Sequence, residues 1–165
     1  MKLDLQINMR LTNSKDTGMG TVEDKSLIQR GVEVSDDSSA TYSADTSYYE
    51  TRTLADAANE TLDIQDGTLE DPIFGAVAIV KLKVIYIKNN SDDASLLIGG
   101  AASNALGLFN DVSDILKLRP GGEYVFTAPD STGIDTSTNA SLKLEHDGTG
   151  SSSLDYDILI AGDSA

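Results

Sequence analysis

An all-β fold, a jelly-roll-like β-sandwich of about nine or ten short strands, is predicted by three observations. Residues 3–11 alternate without a fault, with Leu3, Leu5, Ile7, Met9 and Leu11 on one side and Asp4, Gln6, Asn8 and Arg10 on the other. That is the period of a half-buried strand, not of a helix. Short β-branched and aromatic runs then recur along the chain between clusters of Gly, Ser, Thr, Asp and Asn, the residues that make turns. No segment carries a helical period long enough to compete.

Taken in order, residues 3–11 give the first strand, and Thr12 to Lys25, polar and glycine-containing, reads as a loop. Leu27-Ile28 and Val32-Glu33-Val34 supply the next strand. The chain is expected to be one domain over 1–165, with 1–25 a candidate N-terminal arm and loop. Two pairings of the first strand stand at this point. It pairs inside its own domain, as sequential strands commonly do. Alternatively it extends a sheet of a neighbouring chain, with Leu3, Leu5, Ile7, Met9 and Leu11 as the partner-strand contacts. Ser35 to Ser47 has too little apolar area to offset its ordering entropy and reads as an exposed loop.

Tyr48 to Leu54 and Glu60 to Ile64 are two more strands, followed by an Asp66-Gly67 turn. Ala76 to Lys88 reads as one long central strand, with the core centred on it and with Lys81 and Lys83 on its solvent side. Ser95 to Ile98 is a strand, Gly99-Gly100 permits a sharp bend, and Asn104 to Phe109 is a helical turn or a loop. Ile115 to Leu118, Arg119-Pro120-Gly121-Gly122 and Glu123 to Thr127 read as a hairpin. Leu142 to Glu145 and Leu154 to Ile160 complete the set.

Composition narrows the function classes. The chain has no cysteine, so neither disulfides nor thiolate zinc sites are available to it. The net charge of -15 comes from 27 acidic and 12 basic residues. Such a surface repels nucleic-acid phosphates and anionic lipid, so neither is an expected partner. The N-terminus alternates where a secretory signal would be continuously apolar, and no run approaches about 20 apolar residues, so neither Sec export nor a membrane span is expected.

No residue set points to catalysis. His146 has no second histidine and no cysteine to complete a zinc site, and it reads as a packing or surface residue beside a glycine-rich loop. No Gly-x-Ser-x-Gly elbow accompanies the many Ser and Asp. The acidic pairs Asp36-Asp37, Asp92-Asp93 and Asp155/Asp157 do not fit the calcium-loop spacing and read as solvated surface. Gly18-Met19-Gly20 lacks the Lys-Ser/Thr of a phosphate loop. Tyr42, Tyr48 and Tyr49 are the one aromatic cluster, expected to pack across strands at a loop base. The expectation is a non-enzyme without metal or cofactor.

From residue 76 onward, several pieces resemble auxiliary capsid proteins of siphovirus-like tailed phages, the decoration, cement or capsid-stabilising proteins. These are Val84-Ile85-Tyr86-Ile87-Lys88-Asn89, Ile98-Gly99-Gly100-Ala101-Ala102-Ser103-Asn104-Ala105, Leu118-Arg119-Pro120-Gly121-Gly122, Thr127-Ala128-Pro129-Asp130 and Tyr156-Asp157-Ile158-Leu159-Ile160-Ala161-Gly162. The resemblance covers about half the chain. It implies a homotrimeric jelly roll on the outer surface of an icosahedral head, made in the host cytoplasm and clamping subunits of the major capsid protein. The competing expectation is a fibre or spike domain that binds a host-surface carbohydrate or receptor.

Overall fold

A computed structural model describes residues 2–16, 18, 21–35, 44–73, 75–128, 130–150 and 152–164, and within 2–16 and 21–35 it is the backbone pairing that is described. Thirteen strands and no helix form among the described residues. They are β1 (Lys2–Asp16), β2 (Thr21–Ser35), β3 (Thr46–Leu54), β4 (Asn59–Asp63), β5 (Leu69–Asp71), β6 (Gly75–Val77) and β7 (Lys81–Asn89). The chain continues through β8 (Leu96–Gly99), β9 (Ile115–Leu118), β10 (Glu123–Thr127), β11 (Ile134–Asp135), β12 (Ser141–His146) and β13 (Leu154–Asp163).

Eight of these strands make a jelly roll. β3 pairs with β13, β4 with β12, β7 with β10 and β8 with β9, all antiparallel, as in one long hairpin whose two arms run back on each other. The hairpin is then wound, so that β13 also meets β7 and β12 also meets β8. Two four-stranded layers result, β3-β13-β7-β10 and β4-β12-β8-β9, with β11 added at the end of β7. The strand order is that of a double Greek key.

The core lies between the layers because alternate residues of each strand point inward. Leu82, Ile85 and Ile87 of β7 and Leu154, Tyr156, Ile158 and Ile160 of β13 meet Leu96 and Ile98 of β8 and Leu142 and Leu144 of β12. Each fully buried aliphatic side chain contributes about 1.5–3 kcal/mol. Asn89 is buried among them with every polar atom used. Its amide donates to the carbonyls of Ala94 and Leu118 at 2.9 and 3.1 Å, and its carbonyl accepts from Ser91 N–H at 2.9 Å.

The sequence expectations need four corrections. Ala76 to Lys88 is not one strand: it breaks after Val77 and resumes at Lys81. Lys83 does not emerge into solvent; it is 1% exposed, beside a register shift where Ala161 pairs with Val84 and Gly162 with Leu82. A bulge moves the lysine off the alternation, and its Nζ donates to the carbonyl of Asp130 with Asp163 3.9 Å away. Third, β9 and β10 are not a hairpin. The Arg119–Gly122 turn closes as expected, Gly122 N–H to Arg119 O at 2.8 Å with Gly121 at φ +69°, but it carries the chain from one layer to the other.

Fourth, most of Thr12 to Lys25 is strand. Strict alternation sets the β1–β2 register, and that register carries on through Thr12↔Lys25 to Asp16↔Thr21. β1 and β2 form a two-stranded sheet of their own, joined to no other strand among the described residues. Ser35 to Ser47, expected as a loop, falls largely outside the described residues, and its last two residues begin β3.

Candidate interaction surface

In β13, Ile158 and Ile160 point into the core, so Asp157, Leu159 and Ala161 lie on the outer side of the layer. The register then fixes what stands beside each of them. Leu159 is opposite Tyr49 of β3 and Tyr86 of β7, and Tyr86 is opposite Val125 of β10. Four apolar or aromatic residues thus form a single row across the whole layer, about 14 Å wide at the usual strand spacing. Tyr49 is 54% exposed and Val125 36% exposed. The Tyr86 hydroxyl is held above the ordinary tyrosine range, first by burial and then by the negative charges of Glu123 and Asp157.

Beside this row runs a polar one, Thr51, Asp157, Lys88 and Glu123. Asp157 accepts from the Thr51 hydroxyl at 2.6 Å, and Asp155 from that of Thr53 at 2.6 Å, so both carboxylates sit on the outer surface as expected. The outer face of the other layer has no such apolar row. There Asn59, Glu145, Leu97 and Lys117 stand in register, followed by Thr61 and Lys143. Lys143 pairs with Glu145 at 2.5 Å.

Tyr86, Leu159 and Val125 escaped the sequence reading, although a signal was present. In a sandwich strand with one wet face, apolar residues alternate. Val84-Ile85-Tyr86-Ile87 and Ile158-Leu159-Ile160-Ala161 do not alternate, because both faces are apolar. The sequence groups the tyrosines as one cluster, yet Tyr48 and Tyr49 are adjacent in one strand and take opposite faces, one 1% and the other 54% exposed. Tyr42 lies outside the described residues.

Tyr48 belongs to an ionic clamp between the layers. Arg52 of β3 donates from Nε and Nη2 to Glu60 of β4 at 2.9 and 2.6 Å, and from Nη1 to Glu50 at 2.5 Å and the Tyr48 hydroxyl at 3.1 Å. Tyr156 donates to the other Glu60 oxygen at 2.8 Å. Burial, then donation to Glu50, pushes the Tyr48 hydroxyl up to about 12. The carboxylate of Glu60 raises the Arg52 guanidinium further still. An open cleft of about 440 Å³ adjoins the clamp, lined by Glu50 to Ala55 and Ala58 to Glu60. Every guanidinium nitrogen already has a carboxylate or phenol partner, so an arriving anion would have to displace one of them.

His146 is buried at the end of β12. Its Nδ1 accepts from Gly148 N–H at 3.0 Å, which makes Nε2 the protonated nitrogen, donating to Ser152 O at 3.0 Å. The ring therefore ties down the glycine-rich loop, the packing role the sequence gave room for. Asp93 accepts from the hydroxyls of Ser91 and Ser152, and Asp36-Asp37 lie outside the described residues. Among the described residues no group of three His, Cys, Asp or Glu could hold a metal.

Where the sequence placed its partner contacts, on Leu3, Leu5, Ile7, Met9 and Leu11, the backbone register sets them opposite Val34, Val32, Arg30, Ile28 and Ser26 on one face of the β1–β2 hairpin. The opposite face carries Asp4↔Glu33 and Asn8↔Gln29. Residues 2–35 hold five Lys or Arg and five Asp or Glu, so the net charge of -15 resides wholly outside the hairpin. Comparison with known proteins gives no match, whether to family models, to curated proteins or to solved structures.

Proposed function

We propose that this chain is a virion structural protein, a decoration or cement protein that binds the outer surface of an assembled phage head and stabilises it by clamping major capsid subunits. The observation that carries the proposal is the Tyr49–Leu159–Tyr86–Val125 row. An apolar row with two aromatic members, flanked on one side by the charged residues Asp157, Lys88 and Glu123, has the composition of a protein-binding surface. The local resemblance to phage capsid-stabilising proteins directs the choice of partner, since a jelly roll by itself is compatible with many functions. No catalytic step is involved.

The mechanism is thermodynamic. A protein that binds the closed shell and not its separate subunits shifts the equilibrium toward the shell by mass action, and many copies each contribute a modest term. A homotrimer suits this work, because closed cyclic symmetry is a common way for a small subunit to present several identical contacts. Cosedimentation is the test. The purified protein should pellet saturably with intact heads that lack it, fail to bind unassembled capsid subunits, and raise the temperature at which heads break open. Absence of binding to heads would reject the role.

One observation favours a second reading, a fibre or spike domain that binds a carbohydrate or receptor: the open polar cleft beside Arg52 and Glu60. A glycan array decides between the two. Binding there that is lost in Glu60→Gln, with no binding to heads, would replace the capsid role.

A further inference from the structure

We infer that the outer face of the β3-β13-β7-β10 layer of one copy is covered by the β1–β2 hairpin of a second copy. This rests on the assembly role proposed above and deepens it: the row joins copies into the oligomer, and the oligomer is what meets the head.

The layer offers the receiving side. Tyr49 and Val125 are open to solvent in the single chain, at 54% and 36%, although Leu159 and Tyr86 between them interrupt the alternation expected of a solvated face. Among the described residues nothing covers Tyr49 or Val125, whereas Val84 and Ala161 in the next row of the same face are buried.

The hairpin offers the other side. Its register brings Leu3 opposite Val34, Leu5 opposite Val32 and Met9 opposite Ile28, three apolar pairs on a face that also carries Ile7↔Arg30 and Leu11↔Ser26, and among the described residues neither strand joins another sheet. A two-stranded hairpin alone is marginal in water and needs a further apolar surface to be stable. From Leu3 to Leu11 the face runs about 26 Å, enough to cross a row about 14 Å wide. Two such faces stack about 10 Å apart, aligned or crossed.

Charge selects a second copy's hairpin over direct contact between jelly rolls. Two jelly rolls placed face to face bring together residues 46–163 of each copy, which hold 19 acidic and 7 basic residues. The hairpin is neutral and meets no such repulsion. Each copy both gives a hairpin and receives one, an arrangement that closes into a ring when the rotation between copies is right.

The absence of cysteine makes the test direct. The single-cysteine variants Ile7→Cys and Tyr86→Cys are prepared as full chains, mixed, allowed to exchange and oxidised. The mixture should yield a disulfide-linked heterodimer at least several-fold above the dimer formed by either variant alone. A chain bearing both cysteines should link between copies. Ile7→Asp in the full chain should shift the wild-type oligomer to monomer with its jelly-roll circular dichroism unchanged.

Two results overturn the inference: a disulfide confined within single copies of the double variant, which means the hairpin folds back on its own layer, or an oligomer that Ile7→Asp leaves intact. Head binding is read separately. A monomer that still binds heads retains the capsid role without the exchange, and a cross-linked oligomer that binds no head retains the exchange without that role.

Discussion

Leu159 and Glu145 occupy corresponding places, each on the outer side of the second strand in its layer, yet their neighbours differ in kind. Leu159 stands between Tyr49 and Tyr86, while Glu145 stands between Asn59 and Leu97, with Lys143 paired to it. Both layers bury comparable inner faces of Leu and Ile. The inner faces are therefore a requirement of the fold, and the difference between the outer ones is what the proposed association explains. A face meant for water can be polar throughout; a contiguous row of Tyr, Leu, Tyr and Val stabilises the sheet by cross-strand pairing and suits a protein contact better than water. The same comparison separates adjacent residues of one strand, since Ile158 serves the core and Leu159 the exterior.

The largest effect is expected when that inside–outside distinction is broken on the inner side. Ile158→Ala removes a fully buried side chain and should cost about 2–5 kcal/mol in denaturant unfolding. Leu159→Ala should cost much less stability and act instead on association. Equal losses for the two would remove the distinction.

Next in size is the clamp that joins the two layers at β3 and β4. Arg52→Ala leaves Glu60, Glu50 and the Tyr48 hydroxyl without their common donor, and should cost about 1–3 kcal/mol. Arg52→Lys should recover only part of this, because an ammonium group cannot reproduce the guanidinium fork. Full recovery by lysine would show that charge alone matters there.

A smaller effect sharpens the contrast through pH. Asp147 follows β12, at the end of the polar layer. Burial of its carboxyl is outweighed by Lys117, 2.8 Å away, by the hydroxyl and N–H of Thr149 and by the N–H of Ser95, and its pKa falls well below the usual carboxylate range. The native value is thus below the unfolded one. Its contribution is fully present above the unfolded pKa of about 4 and is lost as pH falls from there through the native value. Unfolding free energy measured against pH should decline less steeply below about 4 in Asp147→Asn. An unchanged slope would mean that other carboxylates carry the acid sensitivity.

The smallest effect belongs to the polar outer face itself. Lys143→Ala breaks a surface ion pair and should change stability by less than about 0.5 kcal/mol and leave association untouched. A loss of association in this variant would show that the polar layer, too, is an interface.

Much of this architecture is legible in the residues. The faultless alternation of 3–11, the Pro120-Gly121 turn and the apolar run around Ile85 locate β1, the β9–β10 connection and the central strand. What escapes has a physical cause. Turn chemistry fixes where the chain reverses but not which layer it re-enters, so Ile115–Thr127 looks like a hairpin and is a crossover. The burial of Lys83 depends on a register shift against Ala161 and Gly162, nearly eighty residues away. The Tyr49–Leu159–Tyr86–Val125 row is assembled from four strands, and each strand shows only one member of it. Its one local trace is the failed alternation at Ile85-Tyr86-Ile87 and Ile158-Leu159-Ile160.

The central claim is that the protein acts by association through the outer face of the β3-β13-β7-β10 layer, and sedimentation velocity of Tyr86→Asp beside Lys143→Asp tests it most directly. At equal micromolar concentration, wild type and Lys143→Asp should sediment as the same oligomer and Tyr86→Asp as a monomer, all three with the same β-sheet circular dichroism. A monomeric wild type, or a Tyr86→Asp variant that sediments with the wild-type oligomer, would contradict the claim.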